Sequence, residues 1–292
     1  MARLRGLHRF RRNRGAVVGL GLVGLVLLFA ALGPLFSSHD PFASDFAHGV
    51  DPVTGLPVGP SSRFWLGTDR LFRDQLARLA MGARLSLLIG VAATAISTLI
   101  GAAVGIVAGW FEGERPFHLD VDGILMRAVD VGLSFPFLLL VMALGAAIEQ
   151  TTSLTILLVL GLTGWLGTAR IVRAKTMTVR RLLFVDAARA LGGTTPRILL
   201  RHVLPNVVGP IVVIATAQVA QMILAESVLS FLGAGVMPPT PTWGGMLSDG
   251  QEVFTAAPWL VFVPAGAILL TVLGWNLVGE GLRDALDPRE QP

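Results

Sequence analysis

The feature that most constrains this chain is a series of long apolar runs, nearly free of charge, at 15–36, about 85–111, 123–148, 151–169, 203–232 and 258–281. Each is near or above the roughly 18 residues that an α-helix needs to cross a bilayer core. A helix satisfies its backbone N–H and C=O groups within its own segment, so it can cross lipid without stranding them. The expected fold class is therefore all-α: a polytopic membrane protein with six transmembrane helices. Composition agrees, since 53% of the residues are hydrophobic and 14% charged, against about 25% charged in ordinary soluble domains.

Several function classes drop out. The chain has no cysteine, which removes disulfides, thiolate metal sites and cysteine nucleophiles. His8, His39, His48, His118 and His202 are scattered, with no HExxH spacing to hold a metal. Lys175 is the sole lysine and follows Ala174, outside any Gly-rich loop, so there is no Walker A motif to bind ATP. No catalytic motif replaces it, and no enzyme activity or cofactor is expected of this chain. The pI near 11 invites a nucleic-acid reading. Net charge is only +4, however, and the arginines flank the apolar runs, which is the positive-inside pattern of a membrane protein.

The N-terminal 14 residues carry six arginines, and an uncharged stretch follows to Phe36. That stretch exceeds the 7–15 residues of a signal-peptide core, so a retained first span is expected. Residues 37–83 are polar and turn-rich. Within them, Arg70 to Met81 places Leu71, Phe72, Leu76, Leu79 and Ala80 on one face. The pattern fits an interfacial helix lying on the membrane or a solvated loop helix. The second run is rich in glycine and alanine, which suits close helix packing in lipid. With a cytoplasmic N-terminus, 17 of the 23 basic residues fall in the inner segments 1–14, 112–122, 170–202 and the tail, as the charge rule requires. Arg63, Arg70, Arg73, Arg78 and Arg84 fall in the first outer loop, the last two close to the second span.

The most informative stretch is DAARALGGTTPRILLRHVLPN, Asp186 to Asn206. Gly192-Gly193 breaks a helix-prone segment, Thr194 or Thr195 is placed to cap the next one, and Pro196 suits its first turn. Pro205 then marks the entry into the fifth span. The segment reads either as a compact basic helix-turn-helix or as a plain amphipathic connector. Ordered loops of this length tend to carry function.

This stretch resembles the EAA loop of bacterial ABC-importer permeases. Asp186-Ala187-Ala188, Gly192 and Leu204-Pro205 stand at that family's spacing, with Asp186 in place of Glu and His202 in place of Ile. WLGTD (Trp65 to Asp69), GARLSLLIG (Gly82 to Gly90), MRAVDVGLSFP (Met126 to Pro136), SFLGAGVMPPTPTWGGML (Ser230 to Leu247) and GEGLRDALDPR (Gly279 to Arg289) are similar to the dipeptide/oligopeptide C-type permeases. Phe72 stands where that family usually has glycine.

The resemblance implies a type I ABC-importer permease fold, with both termini cytoplasmic, in a bacterial inner membrane. It implies a B-type permease partner completing the pore, two ABC ATPase subunits using ATP and Mg, and an extracytoplasmic substrate-binding protein that delivers di- or oligopeptides. On that reading the chain divides into a basic segment 1–14, a first span 15–36, an outer loop 37–83, a five-helix permease module 84–281 with its EAA loop at 174–206, and a tail 282–292. Asp186, Ala187, Ala188, Gly192, Leu204 and Pro205 form the expected ATPase-coupling set. Arg127 and Asp130 are three apart on one helix and are expected to pair. Glu226, near the outer end of the fifth span, is the candidate outer gate. Other readings are a permease of the same type for nickel chelates or another small solute, a stand-alone secondary transporter, or a membrane scaffold.

Overall fold

The computed structural model describes residues 9–114, 118–148 and 151–286. The first eight residues of the basic N-terminal segment and residues 287–292 of the tail lie outside the described residues. All regular elements among those described are helical: α1 (Arg14–Phe36), α2 (Gln75–Trp110), α3 (Val121–Leu133), α4 (Phe137–Ala146), α5 (Ser153–Thr163), α6 (Trp165–Arg180), α7 (Leu183–Ala190), α8 (Thr195–Ile198), a π-turn (Leu199–Val203), α9 (Leu204–Phe231), α10 (Trp243–Gln251) and α11 (Trp259–Leu286). Five helices among the described residues are long and apolar enough to span a membrane, and the bent pair α3–α4 makes a sixth if it is counted as one span.

The interfacial helix expected over 70–81 is not a separate element. Gln75 to Met81 is the first part of α2, which runs on unbroken for 36 residues. Asp74 explains the early start. Its carboxylate accepts from the N–H groups of Leu76 and Ala77, filling donors that a helix N-terminus leaves open. Ser37 and His39 bond the same carboxylate at 2.7 Å each, so one aspartate ties the end of α1 to the start of α2. The helix of the second span therefore starts at Gln75 and not near residue 85.

The two arginines that sat awkwardly beside the second span are consumed by local chemistry. Pro34 lies inside α1 and has no N–H for the carbonyl of Ala30. Arg84 Nε donates to that carbonyl at 2.6 Å, and its terminal nitrogen donates to Ala31 at 2.8 Å. Arg78 is buried against Asp69, Nε to Oδ2 at 3.1 Å. Neither is the free loop charge that the positive-inside rule counts.

Small residues do what their spacing suggests. Gly101, Gly105 and Gly109 make one ridge of α2 and face Thr168, Val172 and Thr176 of α6. A Cβ at Gly105 would stand 2.5 Å from the Ala169 carbonyl, and one at Gly109 would stand 2.6 Å from the Arg173 carbonyl. Without a hydrophobic drive between helices in lipid, such backbone contact is a main source of packing energy. On the far side, α1 packs along α11 through Gly19, Gly274 and Gly281 and turns Leu20, Leu25 and Leu28 outward, toward lipid.

The third span departs from the expected continuous helix. α3 and α4 meet at 81° around Ser134-Phe135-Pro136, since Pro136 lacks a donor and disfavours helical geometry at Phe135. The fifth span is longer than expected. α8, the π-turn and α9 run together from Thr195 to Phe231, so Pro205 lies in the first turn of α9 and starts no new element. The π-turn widens the ladder where Pro205 removes a donor.

α10 was not foreseen within the loop 233–257. Thr242 caps it through the N–H of Gly245 at 3.1 Å. Trp243 is fully buried, and its indole N–H donates to the Leu79 carbonyl at 3.2 Å. It plugs into the core formed by Leu79, Leu87, Val219 and Ile268. Phe72 takes φ +61°, the left-handed conformation open to glycine at little cost. The turn that glycine usually makes is therefore kept, with the ring of Phe72 packed edge-on to Phe46 at 5.5 Å.

Candidate functional site

The segment 183–206 folds as two helices around a glycine turn. α7 ends at Gly192, whose φ is +80°, and the N–H groups of Gly192 and Gly193 donate to the carbonyls of Arg189 and Ala188 at 2.9 and 3.0 Å. These bonds close the carbonyl end of α7 in the usual glycine-terminated way. Thr194 takes the extended N-cap conformation of α8 without a side-chain bond, and Pro196 lies in the first turn.

One apolar core fixes this loop to the bundle. Val185, Ile198 and Val203 are buried with Trp110 at the end of α2 and with Val179 and Val207. The Arg189 guanidinium lies 4.5 Å over the Trp110 ring, close enough for a cation–π attraction. Arg180 bridges to Glu114 at 2.6 Å and donates to the Glu112 carbonyl at 2.7 Å. The loop is thus held as a rigid part of the α2–α6 end.

The coupling set divides between surface and anchor. Asp186, Ala187, Gly192 and Pro205 are exposed, while Ala188 and Leu204 are half-buried. Asp186 makes only a loose 3.8 Å pair with Arg189. Arg197 and Arg201 are exposed. Sequence reasoning missed the apolar part of this surface: Leu183, Leu191 and Leu200 are 85%, 88% and 67% exposed. Their signal was present as leucines in a loop whose own core is already filled by valine and isoleucine. Large exposed apolar side chains on an ordered loop are a surface that a partner could cover.

The chain path puts the first and last described residues at this same end. α1 runs away from it and α2 returns, and Asn13 donates to Asp284 at 2.9 Å. At the opposite end lies an ionic cluster. Asp69 holds Arg73 at 2.7 Å and Arg78 at 3.1 Å, all four-fifths buried or more, and Arg70 bonds Glu252 beyond α10. Burial pushes the carboxyl of Asp249 above the usual range, against the opposing pull of Arg70 and Arg78.

Two site expectations are corrected. Arg127 and Asp130 do not pair: Asp130 bonds Arg170 of α6. The facing helix offers a guanidinium across the α3–α6 contact, while Arg127 points to an exposed position. One turn away, Arg173 grips Asp122 with two bonds of 2.5 and 2.6 Å, so α6 clamps α3 twice. Glu226 is no gate on a surface. It is fully buried, accepts from Ser230 at 2.8 Å, and sits among the hydroxyls of Ser86, Ser227 and Thr242. A group sealed inside one chain's packing lines no passage, and among the described residues the hydrogen bond to Glu226 comes from Ser230 of its own helix, with Oε2 left unpartnered.

A cavity of about 420 Å3 opens at the elbow of the broken span, bounded by α3–α4, the α5–α6 junction and α9. Gln218 stands at its base. Its amide nitrogen donates to Ser97 at 2.6 Å and to the Gly164 carbonyl at 2.9 Å, and its oxygen accepts from Thr168 at 3.3 Å. That one side chain links α2, α9 and the Gly164 break between α5 and α6. Among the described residues no group of histidine, aspartate and glutamate side chains is arranged to hold a metal.

Comparison with known proteins follows this geometry. Residues 101–291 match the family described as binding-protein-dependent transport system inner membrane component. Residues 5–50 match the N-terminal TM domain of oligopeptide transport permease C. The chain is 41% identical to the oligopeptide transport system permease protein OppC of Bacillus subtilis, over 96% of this chain and 88% of that protein. It is 39% identical to the OppC of Escherichia coli K12, over 97% and 90%. The dipeptide transport system permease protein DppC of Bacillus subtilis is 38% identical, over 97% and 84%. With an all-helical membrane fold and a family match across two thirds of its length, the chain belongs to the inner membrane components of binding-protein-dependent transport systems.

Proposed function

We propose that this chain is one permease subunit of an ATP-driven importer of di- or oligopeptides. It forms half of the pore with a related B-type permease. Two separate ATPase subunits dock on the loop around Gly192, and an extracytoplasmic binding protein delivers peptide to the opposite end. The coupling end, with both termini, faces the cytoplasm on this reading. The chain itself does no catalysis and holds no cofactor, so ATP and Mg belong to the partner subunits.

One observation carries the proposal. The loop 183–206 is rigidly seated on Trp110 yet presents Leu183, Leu191 and Leu200 to solvent. A surface of that kind receives a partner and passes on a rigid-body push. ATPase closure would act on α7 and α8, and the push would pass through the continuous α8–α9 helix to the cavity wall. The names of the relatives support peptides as the cargo.

The test is uptake by proteoliposomes holding the two permeases and their ATPases, supplied with binding protein. Peptide uptake that requires ATP and the ATPases supports the proposal. Uptake by this chain alone, driven by an ion gradient, overturns it.

A further inference from the structure

The elbow cavity has two properties that do not suit contact with lipid. The first is its backbone. Pro136 has no N–H for the Gly132 carbonyl, and the first turn of α4 begins with no side-chain cap, leaving N–H groups open. Broken backbone at membrane depth persists only where protein buries it or water reaches it. Phe135, at the break, is 56% exposed, so this chain does not bury it.

The second property is Gln221. It lies on α9 one turn beyond Gln218 and lines the same cavity. It is exposed, and no hydrogen bond to it is present among the described residues. Ten residues separate it from Phe231, or about 15 Å of helix, which places it well inside the span. A primary amide there needs partners that hydrocarbon does not offer. Two independent features of the same cavity thus call for water.

We infer that this cavity is a wetted stretch of the translocation path and that Gln221 is a hydrogen-bonding contact for the peptide main chain. The inference rests on the import reading above. The chemistry of the lining selects the ligand. The cavity wall carries no charged side chain; its polar side chains are Thr163, Gln218 and Gln221. Gln218 is saturated within the chain, and the Thr163 hydroxyl donates to the Val159 carbonyl at 2.6 Å. Gln221 alone presents a free donor and a free acceptor side by side. A peptide group presents the matching acceptor and donor whatever its side chains. The apolar remainder, with Phe135, Phe137 and Leu138, accepts varied side chains without selecting a charge.

The native chain has no cysteine, which makes a direct test available. In proteoliposomes containing the whole transporter, Gln221→Cys and Leu269→Cys are each treated with a cationic methanethiosulfonate reagent. Leu269 is 65% exposed on α11, outside the cavity lining. Gln221→Cys is expected to react at least tenfold faster in either the nucleotide-free or the ATP-bound state, and trialanine should slow it. Equal, slow reaction at both sites in both states would show that the second permease chain or lipid seals the face, and would overturn the inference. Gln221→Leu should reduce ATP-driven trialanine uptake about tenfold while the complex still purifies intact. Unchanged uptake would overturn the peptide contact. If the unmutated transporter takes up no trialanine while Gln221→Cys still labels fast, the import reading fails and the wetted cavity stands.

Discussion

Gly192 offers the sharpest test of how the coupling loop works. Its φ of +80° is a conformation that a residue with a Cβ adopts at roughly 1–2 kcal/mol. No atom of another residue lies within 4 Å of where that Cβ would stand. Gly192→Ala therefore probes the backbone alone, and a shift of about 1 kcal/mol lowers the equilibrium constant for the ordered turn about fivefold. Proline acts differently. Its ring fixes φ near −65°, and it deletes the N–H that donates to Arg189 at 2.9 Å. The lost bond contributes about 0.5–1.5 kcal/mol, and the turn itself cannot close. The loop is anchored through Val185, Ile198 and Val203 against the end of α2, so the spans should insert and pack as before. ATP-driven uptake in proteoliposomes, co-purification of the ATPase and helical circular dichroism together read the outcome. Gly192→Ala should keep uptake within about fivefold of normal. Gly192→Pro should abolish uptake and weaken ATPase binding while leaving the dichroism unchanged. Normal transport by Gly192→Pro would refute the argument. So would alanine as damaging as proline, since the effect would then come from side-chain bulk and not from the turn.

Other substitutions test the remaining framework. Gly105→Leu should force α2 from α6, because even its Cβ would stand 2.8 Å from that of Val172; a loss of roughly 1–3 kcal/mol or more would appear as a lower Tm in detergent. Asp69→Asn leaves the buried guanidiniums of Arg73 and Arg78 without their carboxylate. A penalty of about 3–5 kcal/mol is expected, seen as faster proteolysis of the 37–74 loop with the distant α7–α8 loop unaffected. Gln218→Leu strands the Ser97 hydroxyl and the Gly164 carbonyl, and thermal unfolding should register about 1–3 kcal/mol.

What the sequence made legible was local. The turn at Gly192 and the small-residue packing face of α2 each follow from residues within a few positions of one another, whereas the depth of the break at Pro136 did not. What it concealed depended on partners far along the chain. Asp130 sits beside Arg127 in sequence but bonds Arg170, forty residues on, because helix packing decides which side chains meet. Asp74 read as one more loop charge until its cap to Leu76 and Ala77 extended α2 backward. Helix α10 hid within a Gly- and Pro-rich stretch because its stability comes from burying Trp243 against α2, not from its own propensity. Glu226 looked like a gate for the same reason: a carboxylate near a helix end is conspicuous, while the hydroxyls that enclose it come from α2 and from the segment before α10.

The π-turn at Leu199–Val203 also sets a rotational phase. It places one more residue in that turn than an α-helix would hold, and each residue of an α-helix advances the azimuth by about 100°. α8 before it and the Gln218–Gln221 stripe beyond it are thus indexed to each other like two cams keyed on one shaft. Deleting a single residue from the turn would leave the other spans and the glycine seams intact. It would still turn the docking face by roughly a quarter revolution relative to the cavity wall, so that a motor engaging the loop would drive the wrong side of the helix.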